Sequence, residues 1–152
     1  MEGNRTNMPK IRLAKKTEFE ALTLIWLNAT LAAHSFVERE HWEAGLPDME
    51  NKWLPMSENY IIEIGEPPRI GGFLSLVDNY LAAIFIDPRV QNEGWGSELL
   101  TKAKQLRDSL TLKVYQKNGP ALSFYLKHGF VIDHEEVDSS TGEKEYVMKW
   151  CR

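Results

Sequence analysis

The segment Tyr80 to Arg107, YLAAIFIDPRVQNEGWGSELLTKAKQLR, constrains this chain more than any other. Tyr80 to Ile86 is an uncharged run with aromatic and β-branched character, the pattern of a strand buried on both faces, and Asp87-Pro88 ends it. From Ser97 the period changes: Leu99, Leu100, Ala103 and Leu106 recur at spacings of three and four, with Glu98, Lys102, Lys104 and Arg107 between them. That spacing lays an apolar stripe on an amphipathic helix. Between strand and helix, Gln91-Asn92-Glu93-Gly94-Trp95-Gly96 carries two glycines, which let the main chain turn sharply and approach a ligand with no Cβ in the way. The amides of such a bend and of the first helical turn have no partner within the helix. The positive end of the helix dipole reinforces them, so the segment predicts an anion site.

Spacing excludes the two commonest anions. A dinucleotide fingerprint needs a third glycine where Leu99 stands, and a nucleotide P-loop needs Gly-Lys-Ser/Thr, which is absent. The pattern Gln91-x-x-Gly94-x-Gly96 after a strand and Asp-Pro resembles instead the acyl-CoA pyrophosphate loop of the GNAT superfamily of N-acetyltransferases. The stretch Val114 to Phe130, VYQKNGPALSFYLKHGF, resembles that family's second signature, in which a strand ends at an Asn, a helix carries Phe-Tyr, and Gly-Phe opens the next strand. The order and separation of the two motifs agree with the family. The resemblance runs from Ile11 to Trp150 and is strongest to the small bacterial YiaC/YjaB-type acetyltransferases, some of which modify protein lysines. It implies an α/β (α+β) GNAT fold: a mixed, mostly antiparallel sheet of about seven strands flanked by about four helices, splayed at its central strands.

Length and composition set bounds on this reading. At 152 residues the chain is most economically one domain, and 43% hydrophobic with 26% charged residues excludes a disordered chain. The polar residues 1–9, with Gly3, Asn4 and Asn7, predict a disordered extension with Met8 as an alternative start, followed by a single N-acetyltransferase domain over 10–152. No apolar run is long enough to cross a bilayer and no signal-peptide pattern opens the chain, so a cytoplasmic location is expected, with no membrane partner. Cys151 is the single cysteine and the four His are scattered, so neither an intrachain disulfide nor a metal site is expected. A formal charge of −4 argues against a nucleic-acid partner and suits a cationic amine. The assembly expected is a monomer or homodimer.

In chain order, Ile11 to Ala14 reads as a short strand, and Thr17, with Glu20 three residues on, as the cap of a helix to Ala33 packed by Phe19, Leu22, Trp26, Ala29 and Ala33. Ser35 is the candidate cap of a second helix, interrupted at Gly45 to Asp48 and resumed to Trp53. Tyr60 to Ile64 and Ile70 to Val77 read as antiparallel strands around Gly65 to Arg69. Leu110 to Tyr115 is the next strand, Asn118 caps a helix with Pro120 in its first turn, and Gly129 ends it. Val131 to Val137 and Lys144 to Trp150 close the chain as a hairpin.

The resemblance also implies roles. Gln91, Asn92, Glu93, Gly94, Trp95, Gly96 and Ser97 would hold the diphosphate of acetyl-CoA, and main-chain groups of Ile84, Phe85 and Ile86 the pantetheine and acetyl carbonyl, with the Phe85 or Ile86 amide aimed at the oxyanion. Asn118 would bond the cofactor arm, cap its helix, or do both. Tyr125 falls on the family's general acid; a phenol of pKa ~10 is protonated at neutral pH and needs no tuning to donate. The acceptor is a primary amine, on a protein lysine or a small molecule such as a polyamine, amino acid or antibiotic, with Tyr80, His34 and Phe36 as candidate contacts. Three positions depart from the family. Lys113 stands where many relatives place a Glu base, leaving a water relay or Tyr80, Tyr115, His34 or Glu63. Asn92 and Glu93 leave the loop without a cation unless Arg89 or Lys127 supplies one. These departures keep a second reading open, an acyl-CoA-binding module without catalysis.

Overall fold

The computed structural model describes residues 9–152. The expected extension therefore lies, apart from Pro9, outside the described residues. Seven strands form one sheet: β1 (Lys10–Leu13), β2 (Glu58–Ile64), β3 (Arg69–Val77), β4 (Tyr80–Ile86), β5 (Ser109–Tyr115), β6 (Val131–Val137) and β7 (Lys144–Cys151). Their order is β1-β2-β3-β4-β5-β7-β6. Every neighbouring pair is antiparallel except β4 with β5. The main helices are α1 (Phe19–Ala33), α2 (Arg39–Ala44), α3 (Trp95–Leu106) and α4 (Gly119–Lys127).

The parallel pair is the feature that makes room for a ligand. β4 meets β5 only at Tyr80 opposite Thr111, backed by the Thr111 amide donating to the Asn79 carbonyl at 2.9 Å. Past that point the two strands part, whereas β4 stays paired with β3 through Ile86 opposite Gly72. The β3–β4 approach is close enough that a Cβ on Gly72 would lie 2.5 Å from the Phe85 carbonyl oxygen. β4 is accordingly not buried on both faces, as its uncharged sequence suggests. Leu81 and Ala83 are buried, Tyr80 and Ala82 are exposed, and Ile84 to Ile86 are half-buried, because one edge of the strand borders the opening.

Two cores clamp the sheet. On one face Leu99, Leu100 and Ala103 of α3 pack on Ile62, Leu74, Leu110, Leu112 and Met148. On the other, Leu22 and Ile25 of α1 pack with Met49 and Leu54 on Ile61, Phe73 and Ala83. Neighbours such as Ile61 and Ile62 thus serve opposite cores, as successive side chains in a strand must. Each buried Leu or Ile here contributes about 1.5–3 kcal/mol.

The first half of the chain differs from its sequence pattern in three places. α1 starts after a 3₁₀ turn (Lys16–Glu18), and the reciprocal cap falls on Glu18, not Glu20: the Lys15 amide donates to Glu18 Oε1 at 2.7 Å. Arg12 fixes that carboxylate from β1, at 2.8 Å, and reaches Glu63 at 3.2 Å. α2 is entered from Glu38 in an extended conformation, so Ser35 caps nothing. The expected break at Gly45 to Asp48 is a helical turn (Leu46–Asp48) that runs on through Met49–Trp53 and Leu54–Met56. Pro47 and Pro55 sit in the first turns of these pieces, where a missing amide proton is tolerated.

Candidate active site

The glycine bend opens where β4 ends. Gly94 is left-handed at φ 91° and Asn92 at φ 65°, a conformation Asn tolerates better than most side chains. Among the described residues, none of the amides from Asn92 to Ser97 donates to a main-chain acceptor; the helical ladder begins with Glu98 donating to Gly94 at 3.2 Å. Side chains leave the bend open. Glu93 turns aside to accept from the Trp95 indole at 3.3 Å, and Gln91 reaches back to the Ile86 carbonyl at 3.3 Å. A run of unpartnered amides at a helix N-terminus is what a diphosphate requires. Arg89 adds no free charge to it, since its guanidinium is committed to Asp87 at 2.6 Å, and that contact holds the Asp87 carboxyl below its ordinary range.

Ser97, in the first turn of α3, is tied to α4 in a way the sequence did not announce. Its hydroxyl lies 3.1 Å from His128 Nε2, while His128 Nδ1 lies 2.8 Å from the Phe124 carbonyl. A carbonyl only accepts, so Nδ1 carries a proton and, in the neutral ring, Nε2 accepts from Ser97.

A cleft of about 670 Å³ runs from this bend along Ile84, Phe85 and Ile86 to Asn118 and Tyr125. A second cavity of about 380 Å³ lies beyond, bordered by Tyr80, Trp42, Lys113, Tyr115, Asp138 and Glu145. The two share Ile84, Phe85, Asn118, Ala121, Tyr125 and His34, so they meet where the strands part. Tyr125 stands at that junction. Its ring packs edge-on against Phe124 and Phe130, at 5.2 and 5.5 Å between centroids, and among the described residues nothing bonds its hydroxyl. Burial, and then the neighbouring Tyr80, push its pKa well above that of an ordinary phenol, so it holds its proton throughout the neutral range.

Asn118 caps its helix as expected, and its other contact within the protein is to His34. Its Oδ1 accepts from the Ala121 amide at 3.3 Å, capping α4, and its Nδ2 donates to His34 Nε2 at 3.1 Å. His34 is thereby fixed with its proton on Nδ1, a buried atom without a partner among the described residues, as is Trp42 Nε1. Burial lowers the His34 pKa to about 4, so the ring is neutral at pH 7.

Most of the candidate site residues border one or both of these spaces. Ile84, Phe85, Ile86, Gln91, Asn92, Gly94, Trp95, Gly96, Ser97, Asn118 and Tyr125 all border the first cleft, and Tyr80 and His34 border the second. Glu93 borders neither, being turned to Trp95. Phe36 borders neither as well; it stands behind the second cavity, 5.6 Å from Tyr115 and 5.5 Å from the Lys117 ammonium. Glu63, a candidate base, is on β2 and bonded to Arg12, away from both. The sequence reading missed His128, Asp138 and Glu145. Alternation along β7 was a signal for Glu145, but only the pairing register, Tyr115 opposite Glu145, brings it to the cavity.

A mixed sheet parted at its one parallel pair, with an anion-accepting bend at the mouth of the parting, defines an acyl-CoA-dependent acyltransferase. The family model described as acetyltransferase (GNAT) domain matches residues 57–132. The peptidyl-lysine N-acetyltransferase YiaC of Escherichia coli is 32% identical over 141 residues, 92% of this chain and 95% of the relative. The solution structure of apo YjaB from Escherichia coli superposes with a TM-score of 0.82 at 27% identity, covering 94% of this chain and 97% of that one. PaiA N-acetyltransferase of Thermoplasma acidophilum, crystallised with coenzyme A, shares the fold at a TM-score of 0.79 and 18% identity, covering 95% of this chain and 99% of that one. The chain belongs to the GNAT acetyltransferase family. It is an N-acetyltransferase whose acetyl donor is acetyl-CoA. Among the described residues no His, Cys, Asp and Glu cluster is placed to hold a metal, and no helix is long and apolar enough to cross a membrane.

Proposed function

We propose that this enzyme acetylates the side-chain amine of protein lysines by direct attack, with Tyr125 protonating the departing thiolate. The observation that carries the reading is the unbonded Tyr125 hydroxyl at the meeting point of a cleft headed by free amides and a second, acid-lined cavity. The names of relatives such as YiaC support lysine as the acceptor.

Acetyl-CoA supplies an activated acetyl thioester. The amides of Asn92 to Ser97 hold its diphosphate, and the parted edge of β4 at Ile84, Phe85 and Ile86 carries the arm, with Asn118 beside it. An amide of Phe85 or Ile86 aimed at the developing oxyanion is worth about 3 kcal/mol. The acceptor enters from the opposite side, through the second cavity. At pH 7 removing a proton from a lysine ammonium of pKa ~10.4 costs about 4.6 kcal/mol, so the cavity has to provide a proton acceptor. No covalent enzyme intermediate is required, and Cys151, exposed on the last strand, takes no part.

Incubation of the protein with acetyl-CoA and lysine-containing peptides should release free thiol. Tyr125→Phe should lower kcat at least tenfold while leaving the thermal shift induced by acetyl-CoA intact. A wild-type protein that is stabilised by acetyl-CoA yet turns over no amine, or a Tyr125→Phe variant with undiminished kcat, would overturn the reading.

A further inference from the structure

Two carboxylates are buried among the described residues, Asp87 at 6% exposure and Glu145 at 8%. Asp87 is accounted for by Arg89. Glu145 forms no salt bridge among the described residues, although the Lys113 charge lies near enough to favour its ionised form. Lys113, on the adjacent strand, gives its ammonium to Glu136 at 2.7 Å. Asp138 is held by the Tyr115 hydroxyl and by Ser140, whose amide and hydroxyl donate at 2.9 and 2.7 Å. The strand register fixes Glu145 between Tyr115 and Glu136, and its side chain borders the second cavity. Its side-chain partner within the protein is another carboxyl, Glu136, and a buried carboxylate without a cation is costly unless one arrives to meet it.

We propose that Glu145 receives the ammonium group of the acceptor and takes its proton before attack on the thioester. This rests on the lysine-acetylation reading above and names the base that reading lacks. A proton passes from the ammonium nitrogen to a Glu145 carboxylate oxygen. The freed nitrogen lone pair forms the C–N bond at the acetyl carbonyl, the C–S bond breaks, and the thiolate takes the proton of Tyr125. Tyr125 is restored by the second proton that the nitrogen sheds on becoming an amide, so one proton leaves to solvent through Glu145 for each acetyl transferred.

The surroundings suit that task. The groups facing Glu145 are Lys113 and Tyr115 from β5, Glu136 from β6, Asp138 from the β6–β7 turn, and Tyr80 from β4. Burial first, and then the Asp138 charge, raise the Glu145 pKa to about 6. It is therefore ionised at neutral pH yet more basic than an ordinary carboxylate. The edges and faces of Trp26 and Trp42, 6.2 Å apart, line the same cavity and favour a cation on an apolar stem. Lys113 in place of the family's usual Glu is then a relocation: the carboxylate moves one strand over, and Lys113 is kept from neutralising it by Glu136.

The test compares wild type, Glu145→Gln and Glu145→Asp in thiol release from acetyl-CoA with a lysine-containing peptide between pH 5 and 9. Wild-type kcat/KM for the peptide should show an inflection near pH 6. Glu145→Gln should lose at least tenfold at pH 8 together with that inflection, Glu145→Asp should recover part of the rate, and acetyl-CoA should raise the melting temperature of all three alike. Full activity and an unchanged profile in Glu145→Gln would overturn this proposal alone. A Glu145→Gln variant that loses rate only by losing acetyl-CoA binding would overturn it too, and a wild type inert toward every amine would overturn both it and the reading on which it rests.

Discussion

Replacing Glu145 by Gln should make the protein more stable at pH 8 and leave its stability unchanged below pH 4.5. The Glu145 pKa is raised in the folded chain from 4.5 to about 6 by burial and by the Asp138 charge, so the native state binds its proton more tightly than the unfolded state does. Native stability is then full below the unfolded pKa and is lost as pH rises through the folded one, which is the opposite of an ordinary salt-bridged carboxylate. Holding that proton more tightly in the folded chain is worth about 2 kcal/mol. Because the carboxyl faces a cavity open to water, screening lowers the figure to about 1–2 kcal/mol. Gln keeps the shape of the side chain and removes the charge, so urea unfolding at pH 8 should show Glu145→Gln more stable by that amount. In a chain of this size the gain corresponds to a rise in Tm of about 2–8 °C. The two proteins should converge as pH falls from 7 to 4.5. A variant that is less stable at pH 8, or a difference that does not change with pH, would refute the claim that Glu145 lies buried and without a salt bridge.

Two other substitutions probe the frame of the site. Gly94→Ala places its Cβ in open space but holds a left-handed φ of 91°, so it should cost about 1–2 kcal/mol of stability and weaken acetyl-CoA binding, measured by calorimetry, by about tenfold. Arg12→Met should cost about 1–2 kcal/mol at pH 7 in urea unfolding, because the Arg12 guanidinium holds the Glu18 carboxyl down to about 2. That stability is present above pH 4.5 and disappears as pH falls through about 2, so the penalty should shrink over the same range.

What the sequence disclosed and what it withheld divide along a physical line. β4, the glycine bend, α3 and the Asn118 cap are local: each rests on a change of hydrophobic period, a turn residue or a cap within a few positions, and each is found within about two residues of where the pattern puts it. The start of α1 moved because Arg12, on β1, captures Glu18. The helical run through Pro47 and Pro55 stayed continuous because each Pro occupies a first turn, which spacing alone does not separate from a break. Glu145 and Asp138 were invisible for a deeper reason. Their place beside Tyr80 and Lys113 follows from β7 inserting between β5 and β6, a pairing between distant parts of the chain. The Ser97 to His128 contact is likewise tertiary, spanning 31 positions.

The central claim is that the parting between β4 and β5 holds acetyl-CoA with its diphosphate on the glycine bend. Titrating the ¹⁵N-labelled protein with acetyl-CoA and following each amide by NMR tests it most directly. The account predicts saturable shifts that are largest at Asn92 to Ser97, with a second group at Ile84 to Ile86. Saturable binding that leaves those amides in place and moves others instead would contradict it.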